Sequence, residues 1–111
     1  NEPGVFTAFI GFEWTSQPSG NNLHRVVIFR DDKDRAMSVV PFSAYDSEDP
    51  EALWDYLQAY EDNTGGSVLA IPHNGNLSNG FMFDDITLSG ETLSSLQGKK
   101  NHKKLWFVKM N

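Results

Sequence analysis

The sequence contains no cysteine. Disulfides, thiolate metal sites and cysteine nucleophiles are therefore excluded together, while nothing follows about redox compartment. It has no apolar run approaching the ~20 residues of a membrane span. Residues 1–20 also show neither the basic start nor the apolar stretch of a secretory signal. No membrane partner is expected, and no compartment is assigned. Positive charge is scarce through most of the chain: Arg25, Arg30, Lys33 and Arg35 are the only cations among residues 1–98, which hold all 15 acidic residues. An acidic body of this kind argues against a nucleic-acid surface. The remaining cations, Lys99, Lys100, Lys103, Lys104 and Lys109, follow without an intervening acid. The charge therefore changes sign near Gly98 and divides a body, residues 1–97, from a basic segment, residues 98–111. Two catalytic signatures are missing as well. No Gly-x-Ser-x-Gly elbow surrounds Ser16, Ser19 or Ser78, and no phosphate-loop spacing surrounds Gly65-Gly66 or the Asn74–Gly80 loop.

What is present suffices for one folded domain. The chain has 111 residues, of which 39% are apolar and 13% aromatic, enough to bury a core. Val5 to Trp14 reads as a strand, with Phe6, Ala8, Ile10 and Phe12 alternating against Thr7, Phe9, Gly11 and Glu13; Phe9 suggests that both faces are covered. His24 to Arg30 is a second strand. Ala36 to Phe42 is a third, joined to the second by the charged turn Asp31–Arg35 as a hairpin. Asp49 caps a helix, Pro50 suits its first turn, and Leu53, Trp54, Leu57 and Tyr60 form one apolar stripe that ends at Gly65-Gly66. Ser67 to Ile71 is a further strand, running parallel to the first. A second helix over Thr87 to Leu96 and a terminal strand over Leu105 to Met110 complete the reading. The fold class is α/β or α+β, a mixed sheet of four to five strands with one main helix packed on it.

Val68-Leu69-Ala70-Ile71-Pro72-His73 is an apolar strand that stops at a proline, with a histidine just beyond and a loop rich in Asn and Gly after it. Strand ends of this type are where α/β proteins place ligands. If the strand directions are as read, Glu13 at the end of the first strand, His24 at the start of the second and His73 converge on one rim of the sheet. Two imidazoles and a carboxylate are ligands for zinc, manganese or iron. Each residue also has a plainer role: Glu13 as a strand-end carboxylate in water, His24 on an edge strand, His73 bonded to backbone in its loop. Arg25 and Asn74 stand next to these residues as substrate contacts, Arg25 being able to hold a phosphate; its plainer role is an exposed edge-strand charge.

Three blocks carry a likeness to known proteins. Phe-Ile-Gly-Phe-Glu-Trp-Thr at 9–15, Gly-Asn-Asn-Leu-His-Arg-Val-Val-Ile-Phe at 20–29 and Leu-Ala-Ile-Pro-His-Asn-Gly-Asn-Leu-Ser-Asn-Gly at 69–80 resemble a domain family of unknown function within the PHP (polymerase and histidinol phosphatase) superfamily. The helix from Asp49 to Tyr60 is also similar, and the likeness covers roughly residues 5–90. It implies a metal-dependent hydrolase on a distorted α/β barrel, binding up to three divalent ions and cleaving phosphoesters. The superfamily's Gly-x-Glu carboxylate falls on Glu13, the histidine opening its next strand on His24, and its Ile-Pro-His histidine on His73. The His-x-His and Asp-x-His motifs of that superfamily are absent, and the blocks cannot be followed past Gly98.

The expectation is therefore an internal piece of a larger enzyme that opens on Asn1 rather than Met. Its parent would act on a phosphorylated small molecule, with a partial site for a divalent metal (zinc, manganese or iron) on Glu13, His24 and His73. Exposed sheet edges would favour a homo-oligomer. The alternative is a non-catalytic binding or oligomerisation domain that keeps only the scaffold.

Overall fold

Asp49 and Pro50 start the longest element. In the computed structural model, which describes residues 2–92, two α-helices occur: α1, Lys33–Ala36, and α2, Pro50–Thr64. The Asp49 carboxylate accepts a hydrogen bond from the Glu51 N–H at 3.0 Å, and Pro50 sits where a missing N–H costs nothing. Gly65 closes α2 in the left-handed region (φ 67°), donating its N–H to the Glu61 carbonyl at 2.9 Å. Leu53, Trp54, Leu57 and Tyr60 are the buried face of α2. Burying each such side chain stabilises the fold by about 1.5–3 kcal/mol.

That face covers a three-stranded sheet of β1, Ile10–Trp14, β2, Arg25–Phe29, and β3, Val68–Pro72. The order is β1-β2-β3 and both pairings are antiparallel. β1 and β3 consequently run in the same direction without touching. Trp14, Arg25 and Pro72 form one rung at one end of the sheet; Ile10, Phe29 and Val68 form the rung at the other. Alternation along each strand sends Trp14, Val27, Phe29, Val68 and Ala70 into the core beneath α2. Gly11, Glu13, Val26 and Ile71 point to the opposite, exposed face. A side chain on Gly11 would place its Cβ 2.5 Å from the Val27 carbonyl oxygen, so only glycine lets β1 lie this close to β2.

At the far end of β2, a carboxylate ties four elements together. Asp31, its side chain 5% exposed, accepts hydrogen bonds from the Tyr60 hydroxyl at 2.8 Å and the Ser67 N–H at 2.7 Å. Arg30 and Arg35 pair with its other oxygen at 3.5 and 3.6 Å. Burial alone would push the Asp31 carboxyl upward, but the Ser67 N–H, the Tyr60 hydroxyl and Arg30 outweigh it and hold the pKa below its ordinary value. Burial and the neighbouring Asp31 carboxylate push the Tyr60 hydroxyl up to about 12.

Several expectations are corrected. The described sheet has three strands and is antiparallel, not a mixed sheet of four or five. Ala36–Phe42 is not a strand: Asp32 accepts a hydrogen bond from the Arg35 N–H and starts the single turn of α1, and the chain then runs as coil. Both edges of β2 are already taken by β1 and β3, so no ladder remains for a hairpin partner. The coil is held instead by the Phe42 ring stacked on Tyr56 and by the Tyr56 hydroxyl bonded to the Val40 carbonyl at 2.7 Å. The first strand begins at Ile10 rather than Val5, because β2 ends at Phe29, the partner of Ile10. Phe9 is 70% exposed, so its face is not covered. Thr87–Thr92 forms a turn closed by Gly90 (φ 88°) and an Ile86–Thr92 bridge, not the start of a helix. The rest of that expected helix, the expected strand Leu105–Met110 and the boundary at residue 98 lie outside the described residues. Among the described residues no helix is long and apolar enough to cross a membrane.

Candidate metal centre

Because β1 and β3 run alike and β2 runs against them, the end of β1, the start of β2 and the end of β3 meet on one rim. The rung after Arg25–Pro72 is His24–His73, joined by the His73 N–H donating to the His24 carbonyl at 3.3 Å. Both histidines alternate with residues facing α2, so they share the open face of the sheet with Glu13. Glu13 Oε1 lies 3.1 Å from His24 Nδ1 and 3.3 Å from His73 Nε2. The two rings stand 5.8 Å apart, nearly perpendicular at 76°. One potential ligand atom from each of the three residues lies within 4.8 Å of the others.

The donor set fits a divalent ion. Atoms bound at about 2.1 Å in a tetrahedral shell stand about 3.4 Å from one another, close to the 3.1 and 3.3 Å of the carboxylate–imidazole contacts. His73 Nε2, the atom facing Glu13, is buried without a hydrogen-bond partner, and such an orphaned group calls for a ligand or bound water. The 3.3 Å approach of His73 Nε2 to Glu13 is thus a close contact without hydrogen-bond alignment. The cluster remains reachable, since the Glu13 side chain is 45% exposed.

Two loops hold the histidines, and their anchors carry no sequence signal. The Asn22 carboxamide oxygen accepts from the His24 N–H at 3.1 Å, while the Asn22 N–H donates to the Leu77 carbonyl at 3.0 Å. One buried asparagine therefore links the loop before His24 to the loop after His73. Ser16 and Ser78, both fully buried, bond to backbone: the Ser16 hydroxyl to Glu48 O, the Ser78 hydroxyl to Gly75 O. Within 15–24 and 74–80, where composition says only loop, nothing distinguishes these residues from Ser19 or Asn21.

Arg25 and Asn74 separate. Arg25 is not an exposed edge charge: β2 is the central strand, and Arg25 is 2% exposed on the α2 face. Its guanidinium lies 5.7 Å from the Trp14 ring and 5.2 Å from the Trp54 ring and donates to the Leu23 carbonyl at 2.7 Å. Burial pulls its pKa down to about 10, with Glu51 acting in the opposite sense. It faces away from Glu13, through the sheet. Asn74 belongs to the cluster, with its carboxamide nitrogen 3.2 Å from His73 Nδ1.

Fold and cluster together define an α/β domain presenting a His–His–carboxylate triad on the rim of an open antiparallel sheet. The family described as Protein of unknown function (DUF3604) matches residues 1–107, and the chain belongs to it. That match runs past Gly98, where the resemblance of the sequence blocks stops. No curated protein and no solved structure matches the chain.

Proposed function

We propose that this chain supplies three ligands of a divalent-metal site, Glu13, His24 and His73, and that its family is a branch of the PHP-type metal-dependent hydrolases acting on phosphoesters. The convergence of one carboxylate and two imidazoles, from three separate strand ends, on contacts of 3.1 and 3.3 Å carries this reading. Zinc, manganese or iron suits such a set, and three protein ligands leave coordination positions open. A bound ion would supply an activated water and a polarised phosphoryl oxygen. Glu13 would contribute the negative charge that retains the ion at an exposed rim, and the ladder between His24 and His73 would fix the spacing of the imidazoles. The His-x-His and Asp-x-His motifs are absent from these residues, so metal binding rather than turnover is the property expected of the chain.

Calorimetric titration with zinc or manganese tests this. One site with a dissociation constant of about 1 μM or below is expected, weakened by more than about 100-fold in Glu13→Gln and in His73→Ala. No binding of either metal, or binding indifferent to both substitutions, would overturn the proposal.

A second reading, a non-catalytic binding or oligomerisation domain, has one observation in its favour. Val26 and Ile71 are exposed on the open sheet face beside the triad, and Val5, Phe6 and Phe9 are exposed ahead of β1. On that reading light scattering finds a dimer or larger species, unchanged in mass when Glu13 is replaced; a monomer of 12.5 kDa speaks against it.

A further inference from the structure

We propose that Asn74 is the positioning residue of His73: its carboxamide, placed on Nδ1, decides which ring nitrogen carries the proton. Three observations converge on this. The carboxamide nitrogen is 3.2 Å from His73 Nδ1, on the side of the ring away from Glu13, which meets Nε2 at 3.3 Å. Asn74 also stands at the cap of the short turn Gly75–Leu77, yet its side chain makes no capping bond there. An asparagine at a cap normally satisfies that turn; this one reaches back to the histidine instead. Its backbone lies in the left-handed region, φ 55° and ψ 36°, which asparagine tolerates better than other side-chain-bearing residues. Behind it the loop has no slack, since a Cβ on Gly75 would stand 2.9 Å from the Phe83 ring.

A neutral imidazole carries one N–H. When the Asn74 NH₂ donates to Nδ1, that nitrogen is bare and the proton sits on Nε2, facing the Glu13 carboxylate. Rotation of the carboxamide by half a turn presents its oxygen, which accepts from Nδ1–H and leaves the Nε2 lone pair free. In the orientation seen, with nitrogen on Nδ1, Asn74 therefore holds the proton on Nε2; only when turned does it support the tautomer in which Nε2 can bind an ion. A carboxylate at this position could only accept, and would hold the second tautomer permanently. The tautomer assignment stands on the contact alone; its consequence for metal rests on the function proposed above.

The test compares wild type, Asn74→Asp and Asn74→Gly, the glycine being free to keep the positive φ. Long-range ¹H–¹⁵N spectra of the metal-free protein, recorded where the imidazoles are neutral, are expected to place the His73 proton on Nε2 in wild type. In N74D it moves to Nδ1, and in N74G the bias is reduced. Zinc titrations should then rank N74D about 10-fold tighter than wild type and N74G about 10-fold weaker. Identical ring signatures in all three proteins would overturn the assignment. Altered signatures with equal zinc affinities would remove its link to metal. If wild type binds no zinc, the metal reading fails while the spectra still decide what Asn74 does.

Discussion

Replacing Trp14 with alanine is expected to destabilise the protein by about 3–5 kcal/mol. Trp14 is fully buried at the last rung of β1, its indole N–H donates to the Ser47 carbonyl at 3.1 Å, and its ring faces the Arg25 guanidinium. Truncation would open a cavity where the sheet, α2 and the loop before α2 meet. It would also leave the Ser47 carbonyl without this donor and leave Arg25, a buried cation, supported by one indole instead of two. Domains of this size are stable by about 5–15 kcal/mol, so much of the folded population is at stake. A urea titration followed by near-ultraviolet dichroism checks this: the midpoint should fall steeply with little change in slope. A loss below about 1 kcal/mol would show that the packing around Trp14 collapses to fill the gap.

Asp31→Ala is expected to cost about 3 kcal/mol. It would remove the acceptor shared by the Tyr60 hydroxyl and the Ser67 N–H, and would leave Arg30 and Arg35 without their common partner. The same carboxylate makes stability depend on pH. Its folded pKa lies below the ordinary value of 3.8, so the folded state releases that proton more readily than the unfolded chain. The stabilisation is therefore complete above about pH 4 and is lost as pH falls through the folded pKa. Denaturation midpoints from pH 7 down to 2.5 should show an acid limb that flattens in Asp31→Asn. An unchanged limb would mean that other carboxylates dominate acid unfolding.

The parts of the fold legible in the sequence are those set by short-range chemistry. Asp49-Pro50 and Gly65 fix the ends of α2 because capping and left-handed termination are local events, and the Leu53, Trp54, Leu57, Tyr60 stripe follows from helical period. The direction of β3 relative to β1 was also readable, and from it the meeting of Glu13, His24 and His73. What could not be read depends on which edges are free. Ala36–Phe42 has the residues of a strand, but a strand needs an unpaired neighbour, and β2 has none to offer. The same omission put Arg25 on an edge, when the central place of β2 buries it between Trp14 and Trp54. Asn22 has no signature in the sequence because its importance lies in joining two loops 55 positions apart, Asn22 to Leu77, and spacing along the chain carries no trace of that contact.

The three corners of the triad come together at different distances along the chain. β1 and β2 are neighbours in sequence, so Glu13 and His24 can meet in a short loop that closes quickly. His73 reaches them only after the long connection through α1 and α2 has closed, a step that costs more chain entropy. The set is thus finished by the pairing that closes the longest loop in the sheet. An ion held by all three residues would bind the folded chain and not the unfolded one, so the unfolding midpoint would rise with metal concentration.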